Sequence, residues 1–403
     1  MNLVMGWPLY LPNAIMNSTI IARTRLTANA SLLLVFLLIA PPAWAVDPNT
    51  MVLIHAKDQT FAMGQALGGK VWTQTTPVHD VRFTYDFLMR ATQLTQGQFM
   101  SVNNRTNPSK HLVPGDRNLP VERVSWNDAV AYCNDLSKQE GLAPAYSESG
   151  EVELTKNGYR LLTAAENEFV TRARTTTLLF YGDEYNTNGL LYSWSDGSGN
   201  RNSATGNSHG ESHDVGTLRP NSYGVYDMTG NLWMWCHDRY DTGSSNNYSA
   251  APQIDPTGPV TGPQRICKGG AFWNDGGHHE MSANHWQWNP GSKSEEIGFR
   301  ICRTVLPSEN LSFSNVITAP ASLAAVSGAI PCSARIFRGG GIGIASVQFR
   351  IDGADVGSEM HAPPYAIKWD TRTAANGSHT LSVVARDATG ILTSEFETVI
   401  VKN

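Results

Sequence analysis

One short stretch of the chain concentrates side chains that bind metals, at His278, His279, Glu280, Met281 and His285. Imidazole, carboxylate and thioether groups are ligands for transition metals, so copper or zinc binding is one chemistry that this stretch could support. Adjacent side chains, such as those of the two neighbouring histidines, need not point in the same direction. A polar surface loop is therefore the alternative interpretation and the default expectation.

Aromatic side chains flank this stretch, with Trp273 before it and Trp286 and Trp288 after it. Tryptophan is enriched in binding hot spots because it combines a large apolar surface with a polar N–H group. The combination of aromatic and polar groups predicts a recognition loop in which ligand contacts are made by Trp273, Asn274, His278, His279, Trp286 and Trp288. No serine–histidine–aspartate set or Walker-type phosphate loop is visible in the sequence.

Two helices are predicted in the part of the chain that precedes this loop. Ser125 is an N-cap residue before residues 126–137, where apolar residues recur at helical spacing. Thr163, with Glu166 three residues later, forms a capping box for a helix ending near Arg172. Regular structure is otherwise sparse, since residues 180–289 are rich in Gly, Asn, Ser, Asp and aromatic residues, which predicts long ordered loops.

Composition and charge narrow the class of protein. With 403 residues, 41% of them hydrophobic and 16% charged, the chain is long enough for two folded domains and too apolar to be disordered. The formal net charge is −5, and the sequence contains no cluster of Lys and Arg residues that could form a basic patch. A nucleic-acid partner is therefore not expected.

The N-terminus has the features of a secretory signal. Arg23 and Arg25 precede the apolar residues 31–40, and an A-x-A cleavage pattern ends at Ala45. The run is about half of the roughly 20 residues that a membrane-spanning helix needs, so a stable membrane span is not expected, although a membrane anchor is the alternative. We expect a signal peptide at residues 1–45 and an exported protein in the periplasm, outside the cell or on its surface.

Export favours disulfides, because they persist outside the cytosol. The first domain contains four cysteines, which allow three pairings that the sequence leaves open: Cys133, Cys236, Cys267 and Cys302. Cys332 is left over and is expected to be a buried apolar thiol.

The pattern of apolar and polar residues changes after residue 304. Residues 305–318 lack a pattern and are predicted to be a linker, whereas residues 346–353, 366–369, 379–386 and 396–402 alternate apolar and polar side chains between Asp-Gly, Asn-Gly and Thr-Gly turns. This alternation predicts an antiparallel β-sandwich over residues 319–403. The region resembles the bacterial immunoglobulin-like modules that serve secreted proteins as spacers or docking units.

The first domain, residues 46–304, contains an ordered series of phrases, among them Gly158-Tyr-Arg-Leu-Leu-Thr163, Gly224-Val-Tyr-Asp-Met-Thr-Gly-Asn-Leu-Trp233, Lys268-Gly-Gly-Ala-Phe-Trp273 and Gly298-Phe-Arg300. The series resembles the formylglycine-generating enzyme, or sulfatase-modifying factor, family. The resemblance implies an α+β fold with much irregular structure, related to C-type lectins, and bound calcium. Most of these phrases are expected to build the scaffold, with Arg160 and Arg300 pairing with buried carboxylates such as Glu166 or Asp227.

The resemblance also implies a chemistry that this chain lacks the residues to perform. In the family, two cysteines shortly after the Gly-Gly phrase bind Cu(I), which selects soft thiolate ligands, and oxidise a sulfatase cysteine to formylglycine. By this resemblance the two cysteine positions fall near Asn274 and His279, and no cysteine lies between Lys268 and Arg300. Copper is therefore not expected as a cofactor.

Calcium binding is expected to be weakened rather than lost. The family's Asn-x-Trp-Glu-Trp phrase has Met234 in place of the glutamate, which leaves Asn231 and backbone carbonyls as candidate calcium ligands.

These observations predict an exported, non-catalytic member of the family that holds a protein, peptide or glycan ligand in a lectin-like cleft. The alternative is an oxidoreductase that forms formylglycine on a sulfatase cysteine, or performs another oxidation, with different residues. The sequence does not decide whether the protein is an enzyme.

Overall fold

The computed structural model describes residues 46–65, 77–112, 118–184, 189–196, 206–241, 249–274, 277–309, 311, 313–338 and 342–403. The signal peptide predicted at residues 1–45 lies outside these ranges. Within them, no helix combines the length and the apolar character needed to cross a lipid bilayer.

The α-helices of the described ranges all begin with a capping box, in which a Thr or Ser side chain and the residue three positions later bond to each other's backbone. They are α1 (Gln96–Ser101), α2 (Trp126–Gln139) and α3 (Ala164–Arg172). The predicted N-caps Ser125 and Thr163 are confirmed. Helix α1 is missing from the prediction because six residues are too few to display an apolar period.

The strands of the first domain are short. They are β1 (Met51–Ile54), β2 (Thr60–Met63), β3 (His79–Arg82), β4 (Phe87–Arg90), β5 (Arg160–Leu161), β6 (Trp233–Tyr240), β7 (Gln253–Ile254), β8 (Gln264–Lys268), β9 (Trp286–Trp288), β10 (Ile297–Phe299) and β11 (Ile301–Thr304). A four-stranded sheet in the order β10-β6-β8-β9 carries the stretch that was singled out from the sequence. Long loops connect the strands, as the Gly- and Asn-rich composition predicts.

The C-terminal region is built of longer strands. They are β12 (Phe313–Ala319), β13 (Ala325–Val326), β14 (Ala329–Arg338), β15 (Ile344–Ile351), β16 (Ala354–Met360), β17 (Tyr365–Asp370), β18 (Gly377–Asp387) and β19 (Leu392–Val401). One sheet has the order β12-β14-β17, and the strands β16-β15-β18-β19 form part of another. One buried cluster joins the two sheets, with Phe313 and Trp369 from the first and Phe349 and Val383 from the second.

The predicted linker at residues 305–318 is too long. Strand β12 begins at Phe313, whose side chain is buried, and it pairs antiparallel with β14 from Phe313 opposite Arg338 onward. The sequence of this segment, which contains one charged residue, Glu309, conceals the strand because the alternation covers only a few residues.

The two domains share one sheet. Strand β1 of the first domain pairs antiparallel with β4 and parallel with β19 of the second, where Val52 lies opposite Leu392. Val384, Leu392 and Phe396 belong to the same buried cluster as Val52 and the core of the first domain. The second domain is thus packed directly against the first.

The predicted disulfides are wrong. All five cysteines lie in described parts of the chain, are buried and are free thiols. Each lies within a helix or strand of the core, where its small apolar side chain fills space. Cys302 is an example, since Arg160 donates a hydrogen bond to its sulfur at 3.0 Å. The expectation of a buried apolar thiol is confirmed for Cys332.

Candidate functional site

The candidate site follows the end of strand β8, where two glycines turn the chain. Gly269 and Gly270 both have left-handed backbone conformations, with φ of 103° and 77°. A Cβ at Gly269 would lie 2.9 Å from the Met228 carbonyl oxygen, and one at Gly270 would lie 3.3 Å from Cγ of Glu280. Glycine alone combines a left-handed backbone with the absence of a Cβ in this space, so we interpret the Gly-Gly phrase as positioning the following loop rather than contacting a ligand.

Asn274 stabilises the turn that follows. Its side chain is buried, and its Oδ1 accepts a hydrogen bond of 2.7 Å from the backbone N–H of Ala271. The backbone N–H of Asn274 in turn donates to the Ala271 carbonyl at 2.9 Å. The Asn274 amide is therefore already engaged in local structure.

His279 lies in a 3-10 turn, His278–Glu280, and joins a small aromatic surface. The His279 ring lies 3.9 Å from that of His278, 6.0 Å from that of Trp233 and 6.5 Å from that of Trp286, measured between centroids. Trp286 is 39% exposed, whereas both histidine rings are half-buried. The structure thus brings together three residues of the predicted recognition loop: His278, His279 and Trp286.

The other two tryptophans of the predicted loop are less exposed than Trp286. Trp273 and Trp288 are both half-buried and pack against the cluster that contains Trp126, Trp233 and Trp235. They contribute to the core of the domain, and their exposed area is limited. The sequence could not distinguish these tryptophans from Trp286, because all three occur in the same polar, glycine-rich context.

Metal binding by the histidine-rich stretch stays a prediction. His285 is buried against Tyr240, with ring centroids 5.8 Å apart. Among the described residues, no three His, Cys, Asp or Glu side chains gather where they could hold a metal ion.

The donor set does not fit the Cu(I) ion that the family implies. Cu(I) selects thiolate ligands, but burial raises the pKa of the Cys133, Cys236, Cys267 and Cys302 thiols well above their usual range. Burial likewise raises the pKa of Cys332, to about 11. Thiols that stay protonated inside the core cannot replace an exposed thiolate pair.

Asn231, the candidate calcium ligand, is fully buried and has a φ of 61°. Its Oδ1 accepts a hydrogen bond from the His213 backbone N–H at 3.0 Å, and its Nδ2 donates to the His213 carbonyl at 2.9 Å. Met234, in the position of the family's glutamate, is buried in the apolar core. Asn231 thus holds the chain at His213, and calcium binding there stays a prediction.

Two buried arginines support the scaffold in different ways. Arg160 pairs with Glu166, as predicted. Arg300 instead donates hydrogen bonds to the backbone carbonyls of Arg90, Tyr226 and Asp227. The pairing of Arg300 with the Asp227 carboxylate is therefore wrong, because that carboxylate accepts from the Gly216 backbone N–H at 2.7 Å.

A group of buried charges beneath the loop is missing from the sequence prediction. Lys268, only 2% exposed, donates to the Asn284 carbonyl at 3.0 Å and lies 3.4 Å from Oε2 of Glu168. The other carboxylate oxygen of Glu168 accepts from Nε of Arg172 at 2.9 Å. The ion pairs join helix α3 to strand β8 and fix the base of the loop. Their signal in the sequence is only an i,i+4 Glu–Arg pair.

The family assignment follows from the first domain as a whole. A family model described as the sulfatase-modifying factor enzyme 1-like domain matches residues 40–305. The chain belongs to this family. A second model, that of a bacterial Ig domain, matches residues 314–383. Both resemblances that were drawn from the sequence are confirmed.

Individual relatives agree with this assignment. The chain is 30% identical to a formylglycine-generating enzyme of Streptomyces coelicolor over 205 residues, which are 49% of this chain and 56% of that protein. It is 31% identical over 229 residues to the chaperone protein LppX of Paenibacillus barcinonensis, covering 50% of this chain and 79% of that protein. The chain spans about half the length of the formylglycine-generating enzymes that it matches.

Among solved structures, Treponema denticola variable protein 1 is similar, with 26% identity and a TM-score of 0.51 over 63% of this chain and 95% of that chain. The part of the chain that is covered corresponds in extent to the first domain. The similarity therefore supports an irregular, sheet-based fold of the family type.

Proposed function

We propose that this chain is an exported, non-catalytic member of the family, which binds a protein, peptide or glycan ligand in a lectin-like cleft. The observation that carries the proposal is that residues 268–300 contain no cysteine, and Asn274 and His279 stand near the positions expected for the family's pair. Asn274 is buried in a turn, and His279 packs against aromatic rings. A chaperone among the relatives fits a binding role, since a chaperone acts by contact and not by oxidation.

The ligand-binding surface that we propose consists of His278, His279 and Trp286. It combines an exposed tryptophan with two half-buried imidazoles, a mixture of apolar and hydrogen-bonding groups that suits recognition. Trp273, Asn274 and Trp288 complete the loop predicted from the sequence; the two tryptophans pack on the core, and Asn274 stabilises a turn.

The absence of catalysis is tested with the full mature chain, copper, oxygen and a peptide carrying the sulfatase motif. We expect no mass change that corresponds to formylglycine, while the Streptomyces coelicolor enzyme converts the same peptide in a parallel reaction. Formylglycine in the reaction with this chain would favour the alternative, an oxidoreductase that uses other residues.

The binding surface is tested by photo-cross-linking in the producing cells. A benzophenone amino acid replaces Trp286 in one variant and Val316, which is 56% exposed on strand β12, in a matched control. We expect a discrete cross-linked product only from position 286. Equal product patterns at the two positions would remove the proposed surface.

A further inference from the structure

A cavity of about 720 Å³ lies between the two domains. Its lining residue Tyr181 donates a hydrogen bond of 3.1 Å to Glu280, in the 3-10 turn of the loop described above. The first domain contributes residues 173–177, 180–182, 191–192 and 219–222 to its walls. The second domain contributes the turn Asp352–Gly353, residues 378–380 of β18, and Phe396 and Thr398 of β19. Its volume lies within the range of small-ligand sites, which occur preferentially between domains.

Specific contacts hold the two walls of this interdomain cavity in place. The Tyr192 hydroxyl donates a hydrogen bond to the Asp352 carbonyl at 2.6 Å. The Arg174 guanidinium lies 4.7 Å from the centre of the Phe396 ring and 3.4 Å from Oε1 of Glu395. The cavity is therefore formed before any ligand arrives, which reduces the entropic cost of binding.

The Asp352–Gly353 turn is itself fixed against strand β18. The backbone N–H of Thr380 donates to Oδ1 of Asp352 at 2.8 Å, and Nδ1 of His379 lies 2.6 Å from its Oδ2. Both carboxylate oxygens of Asp352 are thus engaged by groups of the second domain. Arg174 is paired with Glu395, whereas Arg219, which also lines the cavity, adds a positive charge.

Aromatic rings form one side of the cavity. The rings of Tyr181 and Tyr192 stack with their centroids 5.5 Å apart and their planes 4° from parallel. Phe180 packs edge-on against both, at 5.1 Å and 5.4 Å. Such rings present apolar area next to phenolic oxygens.

Serine and threonine residues contribute hydroxyl groups to the rest of the lining. Thr176, Ser222, Ser378 and Thr398 all line the cavity, and their side chains form no hydrogen bond to another described residue. Hydroxyl groups both donate and accept, so they can bond to ligand hydroxyls in several orientations.

We propose that the interdomain cavity binds an oligosaccharide. A sugar ring offers C–H faces that pack on aromatic rings and hydroxyls that exchange hydrogen bonds with Ser and Thr, which is the combination found here. A peptide fits less well, because β18 and β19 are both paired on two sides and offer no free edge for an added strand. None of His278, His279 and Trp286 lines this cavity, although Tyr181 connects the two regions through its hydrogen bond to Glu280. The two proposals are therefore tested with separate variants.

The test is calorimetric titration of the full mature chain with cellohexaose, chitohexaose, xylohexaose and mannohexaose at millimolar concentration. We expect saturable binding of at least one. Two variants narrow the cavity from opposite walls, Ser378→Trp and Thr176→Trp, and both replace exposed side chains, so folding should be preserved. We expect each to weaken binding at least tenfold.

The matched control is Ser314→Trp, another exposed strand serine, which lies on β12 outside the cavity lining. It should leave the affinity unchanged. The proposal would be overturned if none of the four sugars bound. It would also be overturned if Ser314→Trp lost as much affinity for the sugar as the two cavity variants. Saturable binding of the sulfatase-motif peptide that both cavity variants abolish would also overturn it in favour of a peptide site. None of these results depends on whether formylglycine is formed, so failure here is distinguishable from failure of the non-catalytic assignment.

Discussion

Arg160 donates two hydrogen bonds of 2.7 Å to the Glu166 carboxylate, and both side chains are fully buried. Tyr85 donates a further hydrogen bond of 2.9 Å to the same carboxylate. Loss of one member of such a pair leaves an uncompensated charge in the core. We expect Glu166→Gln to lower the free energy of unfolding by about 3–5 kcal/mol, measured by urea denaturation.

The control for this variant is Glu153→Gln. It removes an ion pair with Lys156 of the same length, 2.7 Å, but on the surface, with the two side chains 51% and 36% exposed. Exposed pairs contribute about 0–1 kcal/mol. Similar losses in the two variants would show that burial does not decide the strength of the Arg160 pair.

The free cysteines give a chemical prediction. All five thiols are buried and burial raises their pKa values, so the folded protein should be inert to a thiol reagent at neutral pH. After denaturation without a reductant, mass spectrometry should find five alkylated cysteines. Fewer than five alkylated cysteines would indicate that the protein contains a disulfide after all, as its expected export favours.

Gly353 tests the packing between the domains. Its φ is 75°, and a Cβ there would lie 2.8 Å from the Pro220 carbonyl oxygen of the first domain. We expect Gly353→Ala to destabilise the chain by about 1–3 kcal/mol more than Gly390→Ala. Gly390 is the matched control, because its φ of 87° imposes similar backbone strain but no atom lies within 4 Å of the added Cβ. Thermal unfolding measures both variants, and equal shifts would contradict a close contact at Gly353.

Local signals predicted local structure well. The N-caps at Ser125 and Thr163 and the alternation of residues 379–386 depend on neighbours along the chain, and the structure contains both helices and the strand. The Arg160–Glu166 pair was also predictable, since an arginine near a capping glutamate has few other buried partners.

Contacts between distant segments were not predictable from the sequence. Nothing near Val52 indicates that it pairs with Leu392, and nothing near Asp352 indicates that Tyr192 reaches its carbonyl. The interdomain cavity arises from such contacts. The tryptophans of the recognition loop show the same limit. Trp286 and Trp288 are two residues apart on β9 and so share a face of the strand, and their different exposure is set by neighbours from other segments.

His237 gives the chain a defined sensitivity to acid. Burial, followed by the positive charge of Arg265, lowers its pKa from 6.5 to about 3. Between these two values the unfolded state binds a proton that the folded state does not, so stability falls as the pH decreases below 6.5, by about 1.4 kcal/mol per pH unit from this residue.

Replacing the imidazole should remove that dependence. His237 packs against Trp126 and Tyr146, and its Nδ1 has no hydrogen-bond partner among the described residues. His237→Phe keeps a ring in this place, so we expect its free energy of unfolding to change less with pH between 6.5 and 4 than that of the unaltered chain. His361→Phe, at an exposed histidine, should retain the full slope. Denaturation curves across this range decide the matter: parallel pH profiles for the unaltered chain and His237→Phe would mean that other groups account for the loss of stability in acid.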